Sequence, residues 1–114
     1  MKLGEIKMET KIISTIQLMQ NGEAVHTIKI ENLHSYEFIF DSKTGPSLKL
    51  ITTNLNMKDL NMLFSKIYSS YVLMGVKKVT QNDKTQTYEI PAVAFKHIHV
   101  KENGKSIELL FSGE

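Results

Sequence analysis

Between Glu9 and Glu31 the chain alternates apolar and polar side chains at a period of two, interrupted by Asn21-Gly22. That alternation predicts two half-buried strands, and Asn-Gly between them is the strongest short-range hairpin signal. A plain two-residue turn would set Ile16 against Thr27 and mix the faces. A three-residue loop with a bulge at Gly22 sets Ile16 against Ile28 and Thr15 against Lys29. The bulged register segregates apolar from polar and is the expected one. Further on, Tyr36, Phe38 and Phe40 share one face of a strand, with Glu37, Ile39 and Asp41 on the other. Ser42 to Ser47, containing Gly45-Pro46, turns the chain into a strand in which Leu48 and Leu50 share a face.

After Asn56 the period changes. Leu60, Leu63, Phe64, Ile67, Tyr71 and Met74 recur at helical spacing and form one apolar stripe. Asn56 suits an N-cap, Asp59 suits the first turn, and Leu55 with Leu60 occupies the positions of a hydrophobic staple. Gly75 is placed to end the helix in a left-handed conformation. These signals predict a helix over residues 57–74, lying on a sheet. At roughly 2 kcal/mol per large side chain, burying its stripe would stabilise the fold by about 10 kcal/mol before entropy. Met62 and Leu73 would then project outward among Lys58, Ser65, Lys66 and Ser69, an outer face open to a partner or second subunit.

Beyond the helix, Val76–Thr80 and Lys84–Ile90 predict a second hairpin across Gln81 to Asp83. Pro91 interrupts the ladder, so Tyr88–Ile90 and Val93–Val100 form two strands or a bent one. Asn103-Gly104 turns the last hairpin. The expected fold class is α+β: seven to eight short antiparallel strands, in hairpins before and after one central amphipathic helix packed on the sheet.

At 114 residues the chain is expected to be one domain. Back-translation of Gly4-Glu5 as GGAGAA gives a ribosome-binding string ahead of Met8. Two readings follow: residues 1–7 are a translated leader with Met8 the native start, or the string is a chance match, since Gly-Glu followed by Met is common. With 41% hydrophobic and 23% charged residues, the composition is that of an ordinary globular protein. No apolar run approaches the roughly 18 residues of a membrane span, and no signal-peptide pattern opens the chain. The absence of Cys removes disulfides, thiol nucleophiles and cysteine metal sites, and a cytoplasmic location is expected. All 14 basic residues are Lys. Without Arg or Trp, the chain lacks the planar fork that reads bases and phosphates in pairs of hydrogen bonds, and sequence-specific nucleic-acid binding is not expected. The excess of Lys, Ile and Asn over Arg is what AT-rich codons encode, which points to a low-GC bacterium or its phage.

Chemistry concentrates in one stretch. His97 and His99 are two apart on a strand and project to the same side. Counting outward from Asn103-Gly104 sets Val100 against Ile107, Ile98 against Leu109 and His99 against Glu108. The two imidazoles could share a metal, with Glu108 a third oxygen or a support for a ligand. The plainer alternative is a solvated strand face with a cross-strand His–Glu pair. A third alternative is a binding surface of Phe95, His97 and His99. Lys77 and Lys78, with Lys84 across the turn, form a basic knuckle for an anionic ligand or acidic partner. No phosphate loop, Ser-His-Asp arrangement or paired carboxylates occur, and no cofactor is expected.

The first strand carries Ile12, Ile13, Ile16 and Leu18 guarded only by Lys11, and at a sheet edge it would invite pairing with another chain. A homodimer joined there is the expected assembly. No motif of a known family is present. In architecture alone, the arrangement resembles small phage-encoded proteins that bind host factors, and the ring-forming tube proteins of phage tails, which also set one helix among antiparallel strands. Three functions follow: a non-catalytic binding protein for a protein partner or small ligand, a self-assembling structural subunit found in the virion, and a metal-dependent hydrolase using His97 and His99.

Overall fold

The computed structural model describes residues 8–31, 33–41, 43, 45–53 and 55–113, so both readings of residues 1–7 lie outside it. The elements in order are β1 (Met8–Gln20), β2 (Glu23–Ile30), β3 (Leu33–Asp41), β4 (Gly45–Thr52), α1 (Met57–Phe64), β5 (Ser70–Gln81), β6 (Lys84–Phe95), β7 (His97–Asn103) and β8 (Ser106–Ser112). They make two four-stranded antiparallel sheets, ordered β2-β1-β5-β6 and β3-β4-β8-β7.

The first hairpin turns at Asn21-Gly22, where the turn chemistry places it, whereas Gly45–Ser47, expected in a turn, already belongs to β4. Ile16 pairs with Ile28 and Thr15 with Lys29, as face segregation requires. The route differs: Asn21 (φ 53°) and Gly22 (φ 79°) make a two-residue turn, and the bulge falls further out, opposite Leu18/Met19. Asn82 and Asp83 likewise turn at positive φ between β5 and β6. Pro91 sits within β6, where Leu73 pairs with Val93 and Gly75 with Ile90, leaving Pro91 and Ala92 together opposite Met74. An edge strand tolerates this bulge because its outer side has no ladder to complete. At Lys96 the chain then leaves the first sheet and enters the second as β7, so residues 93–100 belong to two strands in different sheets.

The central helix over residues 57–74 is not formed. Only Met57–Phe64 is helical, capped by the Asp59 N–H donating to Asn56 Oδ1 at 2.8 Å, and it buries Leu60 and Leu63. It ends at Ser65, whose N–H donates to Met62 O, and Lys66 follows at φ 55°. Ser69 then ties its N–H and its hydroxyl to Met19 O (2.8 and 3.0 Å), delivering the chain to the sheet. The physical reason is a competition between periods. Tyr71 and Leu73 satisfy period two as well as Tyr71 and Met74 satisfy the helical one, and Tyr and Val favour strands. β1 supplies a continuous antiparallel partner from Met8–Gln81 to Met19–Ser70, which decides the outcome.

The core lies between the sheets. Ile16, Leu18, Ile28, Ile30, Tyr71, Leu73 and Phe95 from the first meet Leu48, Leu50, Leu109 and Phe111 from the second, with Leu63 from the helix. Phe111 joins the layers, its ring 5.9 Å from Tyr71 and 6.1 Å from Phe95. β1, β5 and β6 continue past this core as a three-stranded arm whose tip residues are exposed, and the molecule measures 58 × 32 × 26 Å. β2 pairs with β1 only over Ser14–Gln20, so Ile16 and Leu18 are covered on both sides, while Met8–Ile13, with Ile12 and Ile13, pairs with β5 alone and keeps an open edge on the arm.

Candidate interaction surfaces

His97 and His99 are both exposed on β7, the edge strand of the second sheet. The turn is centred on Gly104 (φ 65°) and Lys105, one residue later than Asn103-Gly104, and this displaces the pairing by two. His99 therefore faces Leu110, His97 faces Ser112, and Glu108 faces Lys101. A displacement of two preserves which face each side chain takes, so the imidazoles still point away from the core. Glu108 is engaged elsewhere, 3.0 Å from Lys49 Nζ. Its hydrogen bond and its charge, with Glu37 adding a smaller pull, hold the Lys49 ammonium above the usual lysine range. Among the described residues, no group of three His, Cys, Asp or Glu could hold a metal ion. His26 Nε2 lies 3.7 Å from Asp59 Oδ1, and His34 Nε2 bonds Thr53 Oγ1 at 3.0 Å.

Phe95 and Leu73, expected at the surface, are both buried core residues. Met62 packs half-buried against the core, and the exposed apolar residues around the helix are instead Met57, Phe64 and Ile67. Lys77 and Lys78 are exposed on the arm. Lys78 stands directly across from Lys11, a like-charge pair that destabilises the arm slightly.

The feature missed in the sequence is the place of β3 as an exposed apolar edge. Four strands lie at sheet edges, and three carry guards. β2 has a bulge and the Lys29–Glu31 ion pair at 3.2 Å, β6 has Pro91 and Lys84, and β7 has its histidines and Lys101. β3 exposes Phe38 (52%), Ile39 (39%) and Phe40 (73%) in succession, with Glu37 and Asp41 the charged residues before and after them in the strand. Phe38 pairs with buried Leu48, so its side chain is on the core side of the sheet but beyond the cover of the opposite layer. Three consecutive large apolar residues beside a turn were the available signal, since a half-buried strand needs only alternate ones.

These features define a protein of two antiparallel four-stranded sheets with a short helix, rich in open edges. Among the described residues, no helix is long and apolar enough to cross a membrane. No protein-family model and no curated protein matches the chain. Among solved structures it is similar to a chain of the "Structure of PdpA-VgrG Complex, Lidless", with a TM-score of 0.50 and 16% identity. The likeness takes in 90% of this chain but only 19% of that one, about a fifth of its length. At that identity the two share a fold.

Proposed function

We propose that this protein is a non-catalytic interaction subunit that works by adding strands at its open β3 edge, and that it pairs there with a second copy of itself. The observation that carries the reading is the run of Phe38, Ile39 and Phe40 exposed on an edge strand with free backbone hydrogen-bonding groups. An exposed apolar edge is a template for strand addition. Two copies related by a two-fold axis meet antiparallel, which extends the β3-β4-β8-β7 sheet across the dimer. Centring the axis at Phe38 sets Tyr36 against the partner's Phe40 and Glu37 against the partner's Ile39. Centring it one residue earlier would set Glu37 against the partner's Glu37, so the first register is favoured. Tyr36 is half-buried and its phenol is pushed up by burial, in keeping with an aromatic at the rim of an apolar contact.

The fold is shared with a chain from a structure described as a protein complex, which agrees with action through protein contacts. The Arg-free, Lys-, Ile- and Asn-rich composition supports an origin in a phage or mobile element and action in a bacterial cytoplasm.

Sedimentation velocity of the full chain over rising concentration tests the proposal. A reversible dimer is expected, and the double variant Phe38→Ser, Phe40→Ser should stay monomeric with an unchanged circular dichroism spectrum. A wild-type monomer at its highest soluble concentration overturns self-association at β3. A closed ring larger than a dimer would make the chain a structural subunit instead.

A further inference from the structure

A second site forms where the segment joining α1 to β5 meets the crossover from β6 to β7, on residues that take no part in the β3 edge. Lys66, Tyr68, Tyr71, Lys96 and His97 line a pocket of about 420 Å³. The main chain is fixed at both lysines. Lys66 occupies a left-handed conformation (φ 55°), and the Lys96 N–H donates to Ser112 O at 3.1 Å at the point where the chain changes sheets. Neither lysine has an ion pair among the described residues, and no carboxylate lines the pocket. Ser69, also on the wall, already donates its hydroxyl to Met19 O.

The floor is rigid. Tyr71 is 2% exposed and is held edge-on between Tyr68 (6.4 Å) and Phe111 (5.9 Å). Burial, with the neighbouring Tyr68 second, raises its phenol above the ordinary range and keeps it a neutral donor. Two lysines, a histidine and two tyrosines thus line one space that no carboxylate shares.

We propose that this pocket binds a phosphoryl group. A dianion matches the charge of Lys66 and Lys96 together, whereas a single carboxylate would leave one ammonium uncompensated. Phosphate oxygens accept several hydrogen bonds at once, and the lysines meet them as point charges where no Arg fork is available. The pocket is larger than a phosphate ion, and Ile98 on its wall leaves room for the organic part of a phosphate monoester.

Two-dimensional NMR of the full chain tests this at constant ionic strength, with inorganic phosphate, phenyl phosphate and acetate as probes. Saturable shifts confined to residues 66–71 and 96–98 are expected with both phosphates, and acetate should bind about tenfold more weakly. Tighter binding of phenyl phosphate would identify a monoester as the natural form, and equal binding the free ion; either supports a phosphoryl site. Lys66→Gln and Lys96→Gln should each weaken phosphate about tenfold. Both side chains are exposed, so melting temperature should not move, and Lys105→Gln should change nothing. Shifts that fail to saturate, equal binding of acetate, or lysine variants that bind like wild type would each overturn the proposal. Phe38→Ser, Phe40→Ser should leave phosphate binding intact, which separates this site from the β3 reading.

Discussion

Gly75 shows how a residue's chemistry can be read correctly and its role misplaced. Its lack of a Cβ suggested a helix terminus, because glycine is the usual residue in a left-handed cap. In the structure it lies within β5 opposite Ser14, where a Cβ would fall 2.5 Å from the carbonyl oxygen of Ile13. The close approach is between two backbones, and neither can swing aside as a side chain would. Gly75→Ala should therefore destabilise the protein by about 1–3 kcal/mol, the range for overpacking a filled site, measured by urea unfolding. A neutral result would mean that β1 shifts freely at Ile13. His99 teaches a related lesson. Its outward direction was legible because direction depends only on parity along the strand. Its partner was not, because the turn centred at Gly104 and Lys105 displaces the pairing by two without changing parity.

At the level of elements, the hairpins were legible and the helix only in its first turns. Turn chemistry acts over a few residues: Asn21-Gly22 and the Asn56 cap function where they stand, whatever the rest of the chain does. Residues 65–74 are different. Their apolar spacing satisfies both periods, and the choice is made by β1, a partner some 60 residues away along the chain, since Ser14 Oγ bonds Met74 O at a separation of 60. No reading of the segment alone contains that partner. The turn between β5 and β6 offers a test of local control. Asp83 holds φ 63° there, a conformation that costs an L-residue and not glycine. Asp83→Gly should stabilise the arm by about 0.5–1 kcal/mol, less the added freedom of the unfolded chain. Amide exchange in β5 and β6 near the turn is the measurement, and faster exchange in the variant would show that the Asp83 side chain contributes more than its backbone costs.

For the whole molecule, what decides behaviour is where two layers overlap and where one stands alone. The core needs both: Phe111 touches Tyr71 and Phe95 across the gap, and the buried apolar cluster draws on both sheets. The arm has one layer. Met8–Lys11, Lys77–Lys78 and Gln81–Glu89 are exposed, Lys11 faces Lys78, and backbone ladders with few buried apolar contacts hold the three strands together. Which strands would project in this way was hidden from the sequence, because it follows from sheet order and not from composition. Segments stabilised mainly by exposed backbone hydrogen bonds open below the global unfolding free energy. Hydrogen exchange followed by mass spectrometry should show residues 77–89 losing protection first, while residues 14–18 and 106–112 exchange only with global unfolding. Dimerisation at β3 leaves the arm uncovered, so this ordering should hold at low and high protein concentration alike. Protection of the arm that rises with concentration would instead place it inside an assembly contact, and would move the principal interface away from Phe38 and Phe40.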